Sequence, residues 1–146
     1  MKVAKVLTSK KKAAYYFSIT GNTKSILQQL DDFEEWDVYD LNGMNPEDVD
    51  FKDYENILIG TLTLGRGVPP VFFKHIYKQL VNLENRKIGL FGSGQSHYGD
   101  EFFCGAVDVL EDLLKIKNNI CFKLKFESYP TPTVIEEFKT LVKGME

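Results

Sequence analysis

Ala13-Ala14-Tyr15-Tyr16-Phe17-Ser18-Ile19-Thr20-Gly21-Asn22-Thr23 is the stretch on which the fold of this chain turns. Its first five residues have no polar interruption, as expected of a strand buried on both faces of a parallel sheet. The next six form a hydroxyl-rich turn, and from about Thr23 an amphipathic helix buries Ile26, Leu27 and Leu30. A strand that feeds a helix through a short turn points backbone N–H groups and the positive end of the helix dipole at one spot, which suits an anion. Gly21 lets the backbone come close, and Ser18, Thr20, Asn22 and Thr23 supply side-chain donors in place of the usual lysine. The turn lacks the GK[ST] signature that carries a lysine onto the outer phosphates, so a terminal monophosphate fits it better than a triphosphate. Taken alone, the turn reads equally well as a polar helix cap with no ligand.

Working outward, Trp36-Asp37-Val38-Tyr39-Asp40-Leu41 mixes apolar and acidic residues and predicts a strand near the sheet edge. Asn45-Pro46-Glu47 is a turn. Ile57-Leu58-Ile59-Gly60 and Ile88-Gly89-Leu90-Phe91-Gly92 are two further fully buried strands. In the last strand Ile120, Phe122, Leu124 and Phe126 alternate with Cys121, Lys123, Lys125 and Glu127, the pattern of a half-exposed edge. Between these strands lie helical patterns. One opens at Pro69 or Pro70, buries Phe72, Phe73, Ile76 and Leu80, and shows Lys74, Lys78 and Gln79 to water. Another buries Phe103, Val107, Leu110 and Leu114. The last starts at Thr133 in a capping box with Glu136 and buries Ile135, Phe138 and Val142. This alternation predicts an α/β doubly wound sandwich with a five-stranded parallel sheet of order 2-1-3-4-5 and helices on both faces. Its switch point lies between strands 1 and 3, where Ser18 to Thr23 fall.

The chain has 146 residues, enough for one domain with one good core, and a net charge of -3, which argues against a nucleic-acid partner. No apolar run approaches the ~20 residues of a membrane span, and residues 1–12 lack the apolar core of a signal peptide, so a cytoplasmic protein is expected. Residues 1–11 precede the first strand as an extension, either a disordered arm or an extra edge strand. Cys104 and Cys121 have no metal-ligand spacing and read as reduced core thiols. There is no Ser-His-Asp set, paired catalytic carboxylate or metal cluster, and His75 reads as a solvated residue on a polar helix face.

Two more loops leave the carboxyl ends of the central strands. Thr61-Leu62-Thr63-Leu64-Gly65-Arg66-Gly67-Val68-Pro69-Pro70 follows the third strand, and Ser93-Gly94-Gln95-Ser96-His97-Tyr98-Gly99-Asp100 follows the fourth. Each alone reads as a set of chain turns. Together, beside the phosphate turn, they suit a flat aromatic ring held by backbone amides, with Tyr98 offering an aromatic face.

Three motifs in order, Ser18-x-Thr20-Gly21-Asn22-Thr23, Gly60-Thr61-x-Thr63-x-Gly65 and Gly92-Ser93-Gly94-x-x-x-Tyr98 followed by Phe103-Cys104-Gly105-Ala106-Val107-Asp108, resemble those of flavodoxins, the FMN-binding electron carriers. The resemblance spans almost everything after Lys12. It implies that Ser18, Thr20, Gly21, Asn22 and Thr23 hold the FMN phosphate. It further implies that Thr61, Leu62, Thr63, Gly65, Arg66, Gly67, Ser93, Gly94, His97, Tyr98 and Gly99 surround the ring, with Tyr98 stacking on it. Within the superfamily the chain is most similar to the NrdI family, flavodoxin-like activators of class Ib ribonucleotide reductase, through Val68-Pro69, Gly94-x-x-x-Tyr98-Gly99-Asp100 and Lys125-Phe126-Glu127. The short Leu64-Gly65-Arg66-Gly67 loop departs from some members, and Phe103 to Asp108 matches ordinary flavodoxins. The NrdI resemblance implies that reduced FMN reacts with dioxygen to supply an oxidant to the dimanganese subunit of the reductase, with a separate reductase donating electrons. The alternatives are a one-electron carrier, an NAD(P)H-dependent FMN reductase, for which the chain leaves little room, and a phosphate-ligand module without redox chemistry.

Electrostatics adds an expectation. A unit charge about 7 Å from the ring at an effective dielectric of about 20 is worth roughly 2 kcal/mol, on the order of 100 mV per electron. Arg66 and His97 in the ring loops therefore predict a less negative second reduction potential than in a strongly acidic flavodoxin.

Overall fold

The computed structural model describes residues 12–19, 21–64, 67–95 and 103–145. The strands are β1 (Lys12–Tyr16), β2 (Asp37–Asp40), β3 (Asn56–Leu62), β4 (Lys87–Gly94) and β5 (Asn119–Glu127), and the helices are α1 (Asn22–Leu27), α2 (Phe72–His75), α3 (Tyr77–Asn82), α4 (Gly105–Leu114) and α5 (Pro132–Lys143). All five strands form one parallel sheet of order β2-β1-β3-β4-β5, as the alternation predicted.

β1 is buried because it is paired on both sides. Ala13 lies opposite Asp37 of β2 and Ile57 of β3, and Tyr16 opposite Asp40 and Gly60. Ala13, Ala14, Tyr15 and Tyr16 are all buried. Alternation along the strands then splits the core in two. Ala13, Tyr15, Ile57, Ile59, Ile88 and Leu90 pack with Phe73, Ile76, Leu80, Val107 and Leu110 of the α2–α4 layer. Ala14, Tyr16, Leu58, Phe91, Phe122 and Leu124 pack with Ile26, Leu27, Phe138 and Val142 of α1 and α5.

Several expectations need correcting. The helix after Pro70 is broken at Ile76, which leaves helical geometry (φ -111, ψ 17) and starts α3 at Tyr77. With the break, Phe73, Ile76 and Leu80 are all buried. Gln79 is not simply solvated, because its Nε2 donates to the Pro46 carbonyl at 2.8 Å. Phe103 lies ahead of α4, which begins at Gly105. The capping box of Thr133 and Glu136 does not form. Pro132, with no N–H and a fixed φ, takes the first helical position, so Thr131 is the cap and accepts from the Val134 N–H at 3.3 Å.

Of the two thiols only Cys104 is in the core, and Cys121 is exposed. The β4–β5 register explains this. It steps from Ile88 opposite Ile120 to Gly89 opposite Phe122, leaving Cys121 as the extra residue on the edge strand. Cys104 sits beneath the carboxyl ends of the same strands, and its Sγ donates to the carbonyls of Gly92 (3.5 Å) and Phe126 (3.6 Å). Burial pushes its thiol up to about 12.

At the start of β1, Lys12 donates to Asp32 at 2.6 Å and lies 5.1 Å from the ring centroid of Trp36, whose Nε1 donates to the same carboxylate at 3.2 Å. Partial burial works to raise the Asp32 pKa, but the hydrogen bonds from Lys12 and Trp36 outweigh it and hold the group below the usual carboxylate range. A lowered folded-state value means that this stability is present above the unfolded pKa and is lost as pH falls through the folded one. Asp32→Asn should therefore cost about 1 kcal/mol near neutrality, and the gap from wild type should close in acid, as read from urea midpoints at pH 7 and below pH 3. In native protein a thiol reagent should modify Cys121 promptly and Cys104 at least ~100-fold more slowly, with both reacting after unfolding.

Candidate functional site

The carboxyl ends of β1, β3 and β4 meet where the strand order reverses, the position at which open α/β sheets bind ligands. The turn after β1 is shaped by its own residues. Phe17 N–H donates to the Gly60 carbonyl at 2.9 Å, and Gly21 N–H donates to Ser18 Oγ at 2.9 Å. Gly21 caps α1 in the left-handed region (φ 90, ψ -2), which glycine adopts without strain. Among the described residues no side chain caps α1.

Thr23 is the distinctive residue of this turn. It is 1% exposed, and its Oγ1 is a buried side-chain polar atom with no hydrogen-bond partner among the described residues. Its methyl group packs over Gly60, where a Cβ would come within 2.8 Å of it. A buried hydroxyl without a partner costs roughly 1–3 kcal/mol, so native proteins retain one where something else completes it. Asn42, which sequence reasoning missed, also belongs here. Its Nδ2 donates to the Ser18 carbonyl at 3.1 Å and its own N–H to Asp40 Oδ1. Nothing in the local sequence singles out an asparagine 24 residues from its partner.

The loop after β3 is a small hairpin in which Leu64 and Val68 exchange N–H···O bonds of 2.7 and 2.9 Å, and Gly67 has φ 84. Leu64 and Val68 are 40% and 53% exposed. Thr61 is buried, and its hydroxyl donates to the adjacent Leu62 carbonyl, so of this residue only the backbone is offered to a ligand. Thr63 N–H donates to the Ser93 carbonyl (3.1 Å), and Thr63 Oγ1 accepts from the Ala106 N–H of α4 (3.2 Å). After β4, Ser93 and Gly94 are buried, Gly94 O accepts from Ser128 N–H at 2.9 Å, and Gln95 Nε2 donates to Ser128 Oγ at 2.7 Å. The structure thus brings Ser18, Gly21, Asn22 and Thr23 into one turn and joins Thr61, Leu62 and Thr63 to Gly92 and Ser93 at the sheet ends, with Gly67 against Gly105. Thr20, Gly65, Arg66, His97, Tyr98 and Gly99 lie outside the described residues, as does the extension 1–11.

A groove of about 410 Å³ lies elsewhere, between the end of α1 and α5, lined by Leu30, Asp31, Asp32, Glu136, Lys139 and Val142. Among the described residues it has no buried polar side-chain atom left without a partner, whereas the turn after β1 has one. Among the described residues no helix is long and apolar enough to cross a membrane.

Comparison with known proteins agrees with this geometry. The flavodoxin family pattern matches residues 15–118. The chain is 28% identical over 130 residues to probable flavodoxin 2 of Bacillus subtilis, covering 84% of this chain and 85% of that one. It is 33% identical over 108 residues to a flavodoxin of Maridesulfovibrio salexigens, covering 68% and 73%. The crystal structure of oxidised flavodoxin 2 from Bacillus cereus superposes with a TM-score of 0.75 at 28% identity, over 92% of this chain and 97% of the other. With the strand order, the turn after β1 and these matches in agreement, the chain belongs to the flavodoxin family.

Proposed function

We propose that this chain is an FMN-binding electron carrier that passes electrons between protein partners. Flavodoxins bind FMN, and the observation that carries the reading for this chain is the buried, partnerless Thr23 hydroxyl beside the left-handed Gly21 turn. A phosphate oxygen is the acceptor that such a donor lacks. Ser18, Thr20, Asn22 and Thr23 would hold the phosphate, and Asn42 would steady the turn through the Ser18 carbonyl. The backbones of Thr61 to Gly67 and of Ser93 to Gly99 would line the ring, with Tyr98 stacked on it. When bound, FMN supplies the redox chemistry. The chain's own work is to bind the cofactor, to set its potentials through loop backbone and charge, and to present its edge to a partner.

A narrower reading makes the protein an NrdI-type activator that works with dioxygen on the dimanganese subunit of class Ib ribonucleotide reductase. The observation in its favour is that Leu62 and the exposed Leu64 stand in the β3 loop where many flavodoxins carry an aromatic shield. Leucines there cover less of a ring and leave more room for dioxygen. The Phe103 to Asp108 segment and the named relatives favour the carrier equally or more.

Titrating the apoprotein with FMN and with riboflavin, followed by flavin fluorescence, tests the main reading. Wild type should bind FMN far more tightly than riboflavin. Thr23→Val should weaken FMN binding by about tenfold to a hundredfold, the worth of one hydrogen bond to a charged group, and leave riboflavin unchanged. Absence of FMN binding would end the proposal. Anaerobic potentiometry of the FMN-loaded protein then separates the two roles, since widely spaced one-electron potentials mark a carrier. Closely spaced potentials, with metal-centre activation on adding the reductase subunit and dioxygen, mark the activator.

A further inference from the structure

The amino end of α4 touches the β3 loop directly. A Cβ built on Gly105 would lie 2.7 Å from Gly67 Cα and 3.0 Å from the Gly67 carbonyl oxygen, so the two backbones meet with no room for a methyl group. One residue on, the Ala106 N–H donates to Thr63 Oγ1 at 3.2 Å. The hairpin is therefore held from both ends: Thr63 is bonded to α4 by its side chain and to Ser93 by its N–H, and Gly67 is pressed by Gly105. Between them the Leu64–Val68 bridge closes the loop. The helix end is itself anchored. Cys104 stands in the left-handed region (φ 52, ψ 36), a strained setting for a residue with a side chain, and its Sγ is tied to the carbonyls of Gly92 and Phe126.

We propose that Gly105 and Thr63 are positioning residues, through which the amino end of α4 fixes the backbone of the β3 loop and thereby tunes the reduction potentials of the FMN that this loop lines. The inference deepens the FMN reading and rests on it. A glycine peptide in a loop can turn its carbonyl or its N–H toward a neighbour at little cost, and that choice changes the field at the ring. Here Gly105 packs closely against Gly67, and the Leu64–Val68 bridge closes beside it, so both contacts bear on how this backbone lies. A methyl group at position 105 must push Gly67 away, and loss of the Thr63 acceptor releases the other end of the hairpin. Both changes act on the potentials through the loop, and neither touches the phosphate turn after β1.

The test compares wild type with Gly105→Ala, Thr63→Val and Thr63→Ser. In the apoprotein, hydrogen exchange of the Val68 amide, which donates to the Leu64 carbonyl, should speed up in Gly105→Ala and Thr63→Val. In the FMN-loaded protein, Gly105→Ala should move at least one one-electron potential by a factor of about ten in its equilibrium constant, about 59 mV. Thr63→Val should move it by about threefold, and Thr63→Ser, which keeps the hydroxyl, should restore it. The preference for FMN over riboflavin should hold in Gly105→Ala. Should Gly105→Ala fail to fold, Thr63→Val and its rescue carry the test. Potentials that stay within twofold of wild type in every folded variant would overturn the inference, even if exchange quickens, because the contact would then be structural only. A wild-type chain that does not bind FMN would remove this inference together with the reading beneath it, whereas tight FMN binding with unmoved potentials removes this inference alone.

Discussion

Parallel pairing of β1 on both of its edges is the constraint from which the rest of the molecule follows. A strand hydrogen-bonded on each side and packed on each face must be apolar throughout, and Ala13 to Tyr16 meet that demand. Once β1 is interior, the chain must leave it in one direction to build β2 and return past it to build β3 on the other side. Right-handed crossovers then place α1 with α5 on one face and α2 to α4 on the other. The strand order reverses beside β1, the place where open α/β sheets bind ligands, and the turn that follows β1 begins there. The position of the site is thus a by-product of strand order, and only its chemistry is local.

The three sheet-end loops are joined more closely than their separation in sequence suggests. Thr63 is bonded to Ser93 and to α4, Gly94 and Gln95 to Ser128, and Cys104 to Gly92 and Phe126. All but the Gln95–Ser128 pair use a backbone group left over near the end of a strand or at the start of α4, so the loops are completed by their neighbours. A site formed in this way can be stiff although it consists of turns. The outer strands carry charge for a different reason. Lys123 and Lys125 of β5 are paired with Asp108 and Glu111 of α4, while β2 shows Asp37 and Asp40, and charged borders discourage edge-to-edge association.

Much of this was legible from residue patterns. The unbroken apolar runs at Ile57 and Ile88 and the alternation from Ile120 to Phe126 led directly to three central strands and two edges, because burial on two faces and on one leave different periods. The turn after β1 was legible as a polar entry to a helix behind a buried strand, while its residues alone read equally well as a cap and as an anion site. Local punctuation was read less well. Thr133 and Thr131 are both good caps, and the choice fell to Pro132. The break at Ile76 has no glycine or proline to announce it. Cys121 was misplaced because a one-residue register step beside Gly89 is a property of two strands together and of neither alone.

What the sequence determined by itself is the order of elements, which strands are interior, and which residues have chemistry fit for an anion, since these depend on side-chain character and short-range periodicity. What only the tertiary structure decided is which atoms meet: Asn42 on the Ser18 carbonyl, Gly105 against Gly67, Ala106 on Thr63, and the Thr23 hydroxyl buried with no partner. Those contacts join residues tens of positions apart through backbone geometry at the level of an ångström, and side-chain character along the chain carries no record of such distances.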